Sequence, residues 1–169
     1  MELSQNTNIK MIDNSIEFLG INIAILTISD TRNFDNDKSG STLRKLVEDC
    51  GHTCILRDIV KDEPKELLSI FNKWTNNKNL DVIITTGGTG LTGRDITVDV
   101  LETYFDKKIG TSTIQSRAIA GTKNGKYIFC LPGSPSACKD AWEEILKFQL
   151  DIRHKPCNFV EIMPRLNEA

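Results

Sequence analysis

Apolar and polar positions along this chain fall into blocks that alternate between the spacing of a buried strand and that of an amphipathic helix. Residues 21–28 are apolar and rich in β-branched side chains, which predicts a buried strand, and the stretch ends in Thr27-Ile28-Ser29-Asp30. A polar stretch, residues 33–38, leads to Ser39-Gly40-Ser41, after which Leu43, Leu46 and Val47 keep helical spacing until a glycine stop at Gly51. Residues 53–60 read as a second strand. Asp62, followed by Glu63 and Pro64, is predicted to cap a second helix whose apolar face is Leu67, Leu68, Phe71 and Trp74. A third strand runs up to Gly87. Residues 97–104 predict a helix, 111–119 another, and Asn124-Gly125 a turn before a strand over 127–131. Pro132-Gly133-Ser134-Pro135 then opens a last long helix with Ala137, Ala141, Ile145 and Leu146 facing inward. There is no internal repeat, and the strand–helix alternation predicts a parallel sheet between two layers of helices.

Length and composition fit one domain of this kind. With 169 residues, 39% of them hydrophobic, the chain can bury a full core without disulfides or metal. Residues 1–18 are polar and Asn-rich and read as an arm; residues 19–169 form the single α/β domain, with a tail from about residue 151. A formal net charge of -2 argues against an electrostatic nucleic-acid binder. The five cysteines contain no C-x-x-C pair and are odd in number, so a reducing cytoplasm suits them better than a disulfide framework. His52 and His154 stand alone and read as surface or structural histidines, leaving little material for a zinc site. No apolar run approaches the ~18 residues of a membrane span, and no signal-peptide pattern opens the chain.

The chemistry concentrates between Leu80 and Thr97, L-D-V-I-I-T-T-G-G-T-G-L-T-G-R-D-I-T. An apolar strand opens into Gly87-Gly88-Thr89-Gly90 and closes on Arg94-Asp95 before a helix begins. Glycines free the backbone to take positive φ, so that consecutive N–H groups can converge on a phosphate oxygen, and the next helix adds the positive end of its dipole. Arg94 can contact an anion. Asp95 would repel one, so its place here suggests a bridging cation or a polar substrate group. The string is neither a dinucleotide fingerprint nor a P-loop. The plainer alternative is a tight strand-to-helix turn, against which Thr89, Arg94 and Asp95 weigh.

Asp30, Asp62, Asp95 and Ser134 each fall just after a predicted strand, and ligands of open α/β sheets lie beyond the carboxyl ends of the strands. These residues are therefore expected on one rim. Three carboxylates beside a phosphate site suit Mg²⁺-assisted nucleotidyl transfer. Singly, Asp62 also suits a helix cap and Asp30 a turn; their shared placement is the argument for function.

Four segments together resemble a known family. T-I-S-D-T-R ending at Arg32, T-T-G-G-T-G-L-T-G-R-D-I-T ending at Thr97, Q-S-R-A-I-A-G ending at Gly121 and L-P-G-S-P-S-A ending at Ala137 are similar to the molybdenum cofactor biosynthesis protein B family. Molybdopterin adenylyltransferase and the G domain of gephyrin are its relatives, and the resemblance spans nearly everything from Ile21 to Leu150. It implies a three-layer αβα sandwich with a mostly parallel sheet, a molybdopterin-binding-like fold, assembled as a homotrimer or homohexamer. It implies adenylyl transfer from ATP to the terminal phosphate of molybdopterin, with Mg²⁺, in the cytoplasm, with other enzymes of the cofactor as partners and neither nucleic acid nor membrane. By the same resemblance, Asp62 and Asp95 are the catalytic and Mg²⁺-holding carboxylates, and Ser116 binds the pterin. Gly87, Gly88, Thr89 and Gly90 form the molybdopterin phosphate region, and Pro132, Gly133, Ser134 and Pro135 the nucleotide side. Ser29, Asp30, Thr86 and Arg94 complete the ligand-binding set.

One departure bears on activity. Relatives carry between Ile109 and Gly110 a loop-like segment of the kind G-F-G-E-x-F-R, on the order of a dozen residues, whereas here Asp106-Lys107-Lys108-Ile109 runs directly into Gly110. Two readings follow. Asp62 together with Asp95 favours an adenylyltransferase, and the shortened connection favours a non-catalytic molybdopterin-binding or carrier protein of the same pathway.

Overall fold

The computed structural model describes residues 11–109 and 117–168 of the chain. Its main sheet has six strands in the order β3-β2-β4-β7-β6-β5. They are β2 (Asn22–Ile28), β3 (Thr53–Val60), β4 (Val82–Thr86), β5 (Lys107–Ile109), β6 (Ile119–Lys123) and β7 (Lys126–Leu131). The first four in spatial order run parallel, and β6 and β5 close one edge antiparallel.

Strands buried on both faces are mostly apolar on both, as the central strands β2, β4 and β7 are, whereas the edge strands β3 and β5 carry charged side chains. Along β2, Ile23 and Ile25 face one helix layer while Ala24, Leu26 and Ile28 face the other; on β4, Val82 and Ile84 oppose Ile83 in the same way. The first layer holds α1 (Lys38–Asp49) and α4 (Pro135–Ala141), the second α2 (Pro64–Thr75) and α3 (Thr97–Tyr104). This is the three-layer αβα sandwich with a mostly parallel sheet. Thr27 pairs with Thr86, and Thr86 with Leu131, so the carboxyl ends of β2, β4 and β7 lie level and their loops leave from one edge.

Several local expectations change. Asp62 does not cap α2: the N-cap position belongs to Glu63, which makes no side-chain cap bond, and Pro64 opens the helix. The helix needs no help from Asp62 because proline at N1 removes one orphan N–H and presets φ. On α2 the buried stripe is Leu67, Ile70, Phe71 and Trp74, an i, i+3, i+4, i+7 set, and Leu68 turns outward at 39% exposure. The last helix contains a π segment at Trp142–Leu146, followed by α5 (Lys147–Gln149). Its inward line is Cys138, Trp142 and Leu146; Ala137 and Ala141 are only half-buried, and Ile145 is 57% exposed.

The helix expected over 111–119 lies mostly outside the described residues, and its last residue, Ile119, begins a strand. Asn124 and Gly125, both at positive φ, join β6 and β7 through a two-residue hairpin turn. β5 has three residues, two of them exposed lysines, too few for an alternating pattern to stand out.

Residues 151–168 return to the body of the domain. β8 (His154–Lys155) pairs antiparallel with β1 (Met11–Ile12), and α6 (Phe159–Ile162) is capped by Asn158, whose side chain accepts from the Glu161 N–H at 2.8 Å. The part of the expected N-terminal arm before Met11 lies outside the described residues. Both histidines are buried, and His52 Nδ1 accepts from the Ile21 N–H at 3.3 Å. All five cysteines are free thiols. Among the described residues no helix is long and apolar enough to cross a membrane.

Candidate functional site

The four loops that follow the parallel strands are tied to one another. After β2, the Ser29 hydroxyl accepts from the N–H groups of Thr31 at 3.3 Å and Arg32 at 3.2 Å, which turns the chain back over the sheet edge. Asp30 then accepts from the N–H of Asp62, in the loop after β3, at 3.3 Å. After β4, the Thr86 hydroxyl donates to the Pro132 carbonyl at 2.9 Å, joining the third loop to the fourth. Gly87 takes φ +103°, and a Cβ there would collide with the Ile28 carbonyl oxygen, so only glycine lets β4 leave so close to β2.

Between these loops lies a cleft of about 560 Å³. Its walls are Gly87, Gly88, Thr89, Gly90 and Asp95 on one side, Pro132, Gly133, Ser134 and Pro135 on another, and Arg32 beside them. Asp62 sits behind the glycine loop rather than in the lining: a Cβ on Gly88 would come within 2.9 Å of its Oδ2. Asp95 packs against Gly90 in the same fashion, 2.5 Å from the position a Cβ would occupy. Asp30 and Arg94 are not in the lining. They form a 2.6 Å ion pair, with Glu63 at 3.1 Å on the other guanidinium nitrogen, and the Arg94 side chain is 62% exposed. Ser29 is likewise off the lining, and Ser116 lies outside the described residues.

The backbone donors are partly committed. The Gly87 N–H donates to the Leu131 carbonyl at 3.1 Å, and the Gly90 N–H supports the Asp95 carboxylate. The run of N–H groups expected to converge on a phosphate is therefore interrupted.

The carboxylates are driven apart electrostatically. Asp95 is held below its ordinary value of 3.8, first by the Thr92 hydroxyl, which donates at 2.5 Å, and then by the backbone N–H groups of Thr92 and Gly90. Asp30 is held low by the Arg94 guanidinium. Burial pushes Asp62 up, the charges of Asp95 and Asp30 add to this, and hydrogen bonds from the Thr97 hydroxyl and the Ile96 N–H counteract it. A buried carboxylate beside two others is a place where a cation relieves repulsion. Among the described residues no group of three or more His, Cys, Asp or Glu side chains could hold a metal by itself. Mg²⁺ is commonly held by one or two carboxylates plus substrate and water; of the two expected to hold it, Asp95 lines the cleft and Asp62 stands behind Gly88.

Two arginines belong to the site although sequence reasoning does not single them out. Arg117, in the Q-S-R segment, donates through Nε to the Gly90 carbonyl at 3.1 Å and through Nη2 to the Asp95 carbonyl, and pairs with Asp99 at 2.8 Å. Its own N–H donates to the Thr89 carbonyl at 3.0 Å. Arg32 donates to Ser39 Oγ at 2.7 Å and to the Gly133 carbonyl at 2.9 Å. Both stand inside motifs, but a sequence shows nothing of which distant carbonyl an arginine reaches.

A doubly wound α/β sheet with a glycine-lined cleft and two carboxylates at the carboxyl edge of its strands defines a class of ligand-binding domain. The family described as "Probable molybdopterin binding domain" matches residues 24–152. Molybdenum cofactor biosynthesis protein B of Escherichia coli strain K12 is 40% identical over 160 residues, covering 86% of this chain and 94% of its own. A crystal structure of a molybdenum cofactor biosynthesis protein B superposes with a TM-score of 0.76 at 30% identity, covering 89% of this chain and 98% of that one. The tungsten cofactor synthesizing protein MoaB from Pyrococcus furiosus gives 0.63 at 30% identity over 75% and 90%. The chain belongs to the molybdopterin-binding domain family and, within it, to the molybdenum cofactor biosynthesis B proteins.

Proposed function

We propose that this protein acts in molybdenum cofactor biosynthesis by binding molybdopterin in the cleft and transferring AMP from ATP to its terminal phosphate. The observation that carries the reading is the placement of Asp95 and Asp62 directly against Gly90 and Gly88, so that two carboxylates flank the loop where phosphates would lie. A phosphate oxygen of molybdopterin attacks the α-phosphorus of ATP, the bond from that phosphorus to the bridging oxygen breaks, and pyrophosphate leaves. No covalent protein nucleophile is required. Mg²⁺ held by Asp62 and Asp95 would offset phosphate charge. Arg117 keeps Gly90 and Asp95 in register, and the Pro132-Gly133-Ser134-Pro135 loop supplies the opposing wall for the nucleotide.

The test is turnover with molybdopterin, ATP and Mg²⁺, following pyrophosphate release. Asp95→Asn keeps shape and hydrogen-bonding reach but removes the charge, so molybdopterin should still bind while transfer falls by a few orders of magnitude, a loss of about 3–5 kcal/mol in the transition state. Background release from the unaltered protein would overturn the reading.

The second reading is a molybdopterin carrier without chemistry. It is favoured by the direct run of Ile109 into Gly110 in the sequence, where the family resemblance implies a further segment. It expects equal, background-level release from the unaltered protein and from Asp95→Asn, with similar molybdopterin affinity.

A further inference from the structure

Phosphates entering the cleft meet a wall of glycine, proline and the Asp95 carboxylate, and something positive must face them. Arg94 is spent on Asp30 and Glu63 outside the lining, and Arg117 on the Gly90 and Asp95 carbonyls and Asp99. Among the described residues that line the cleft, Arg32 is the cation.

We infer that Arg32 is the anion-binding residue of the cleft, gripping phosphate oxygens at the junction between the Gly87-Gly88-Thr89-Gly90 loop and the Pro132-Gly133-Ser134-Pro135 loop. This rests on the reading of the cleft as a phosphate site. The guanidinium is built into place. One of its terminal nitrogens donates to Ser39 Oγ and the other to the Gly133 carbonyl. Ser39 in turn donates to Asp37 at 3.3 Å. Asp37 is buried, accepts from the Gly40 N–H at 3.0 Å and from Thr27 Oγ1 at 2.8 Å, and pairs with Arg57 at 2.8 Å. Arg32 is ion-paired to the same carboxylate at 3.9 Å, but Arg57 holds it more closely at 2.8 Å, so Arg32 is the looser of its two cations and the one whose side chain reaches the cleft lining. Its remaining donors have no hydrogen-bond partner among the described residues, and the side chain is 31% exposed. A planar fork with spare N–H groups suits a tetrahedral dianion. Asp95, the opposing charge in the lining, has its carboxylate turned toward Thr92 and Gly90 by their donors.

The test uses inorganic phosphate and pyrophosphate as probes, by calorimetry and by amide shifts at Gly87, Gly88 and Gly90, so that it needs no turnover. Loss of charge-assisted hydrogen bonds in Arg32→Gln should weaken pyrophosphate at least about tenfold. Arg32→Lys should fall between the two, and Arg165→Gln, a control far from the cleft, should match the unaltered protein. Melting of the Arg32 variants should stay close to that of the unaltered protein, since Asp37 keeps Arg57, Thr27 and Gly40. Equal affinity in Arg32→Gln, no binding by the unaltered protein at millimolar probe, or matched losses of melting and binding in both Arg32 variants would overturn it. Arg32-dependent phosphate binding without any adenylyl transfer would sink the proposed reaction and leave this assignment standing.

Discussion

The Thr97 hydroxyl donates to the buried Asp62 carboxylate at 3.2 Å, bridging the end of the β3 strand to the first turn of α3. That bond, with the Ile96 N–H, only partly offsets the burial that pushes Asp62 above 3.8. A carboxyl whose folded value is raised favours folding most when protonated, so its ionisation weakens the fold as pH rises through the raised value. Asp62→Asn can still accept from Thr97 and carries no charge. It should therefore melt at or above the unaltered protein at pH 7, with the gain fading as pH falls toward 3.8. Melting curves across that range check it; a clear loss of stability at pH 7 would mean that the Asp62 charge is compensated in the fold.

The third loop depends on one backbone conformation. Gly87→Ala forces a Cβ into the Ile28 carbonyl at φ +103°, combining left-handed strain with a backbone clash. It should lose about 2–4 kcal/mol in urea unfolding, at the upper end of single-substitution effects. Gly93, in the same loop, has nothing within 4 Å of where a methyl group would stand, so Gly93→Ala should stay within ~0.5 kcal/mol. Equal effects at the two positions would show that the loop relaxes freely.

What can be read from the chain follows from which interactions are local. The central strands β2, β4 and β7, and the helix α3, are legible in runs of apolar residues and their period, because a strand buried on both faces has little polar alternative. Leu68 and Ile145 depart from the inward faces that spacing assigns them, because a one-residue change of phase on a helix is set by tertiary packing, and by the π segment in the second case. Asp62 satisfies the local rule for a cap, an aspartate before Glu-Pro; Thr97, 35 residues later, claims it instead. The clustering of Asp30, Asp62, Asp95 and the Pro132 loop is foreseeable from strand ends alone, but their division is not. Asp30 is drawn outward by Arg94, and Asp62 is held behind Gly88. Arg32 and Arg117 act on carbonyls contributed by remote loops, for which no sequence pattern exists.

Assembly is expected to involve the face that carries Ile145. An apolar cavity of about 640 Å³ lies between Ile109, Ile119, Phe129 and the helix that carries Ile145. At its rim Ile145 is 57% exposed, an apolar side chain that a partner would cover. Together with the family resemblance it leads to the expectation of a homotrimer or homohexamer, with closed symmetry. Light scattering at micromolar concentration should give three or six chain masses, and Ile145→Asp should lower it. A monomer in the unaltered protein would exclude the assembly.

Arg117 offers the sharpest separation of positioning from stability. Its side chain holds the Gly90 and Asp95 carbonyls, while its backbone N–H holds the Thr89 carbonyl and survives any substitution except proline. Arg117→Ala removes the guanidinium from acceptors that are partly open to water, so unfolding should lose only about 1–2 kcal/mol. The loop from Gly90 to Asp95 should loosen far more, because the guanidinium is what spans it. Amide hydrogen exchange at Thr92, Gly93 and Asp95 should accelerate while the exchange of β2 and β4 stays close to unchanged. Arg117→Lys can satisfy one carbonyl but lacks the fork, so it should recover the stability and little of the loop protection. Added guanidinium ion should restore part of that protection in Arg117→Ala and none in Arg117→Lys, where the ammonium fills the space. Uniform acceleration across strands and loop alike would mean that Arg117 holds up the fold as a whole and has no special hold on Asp95.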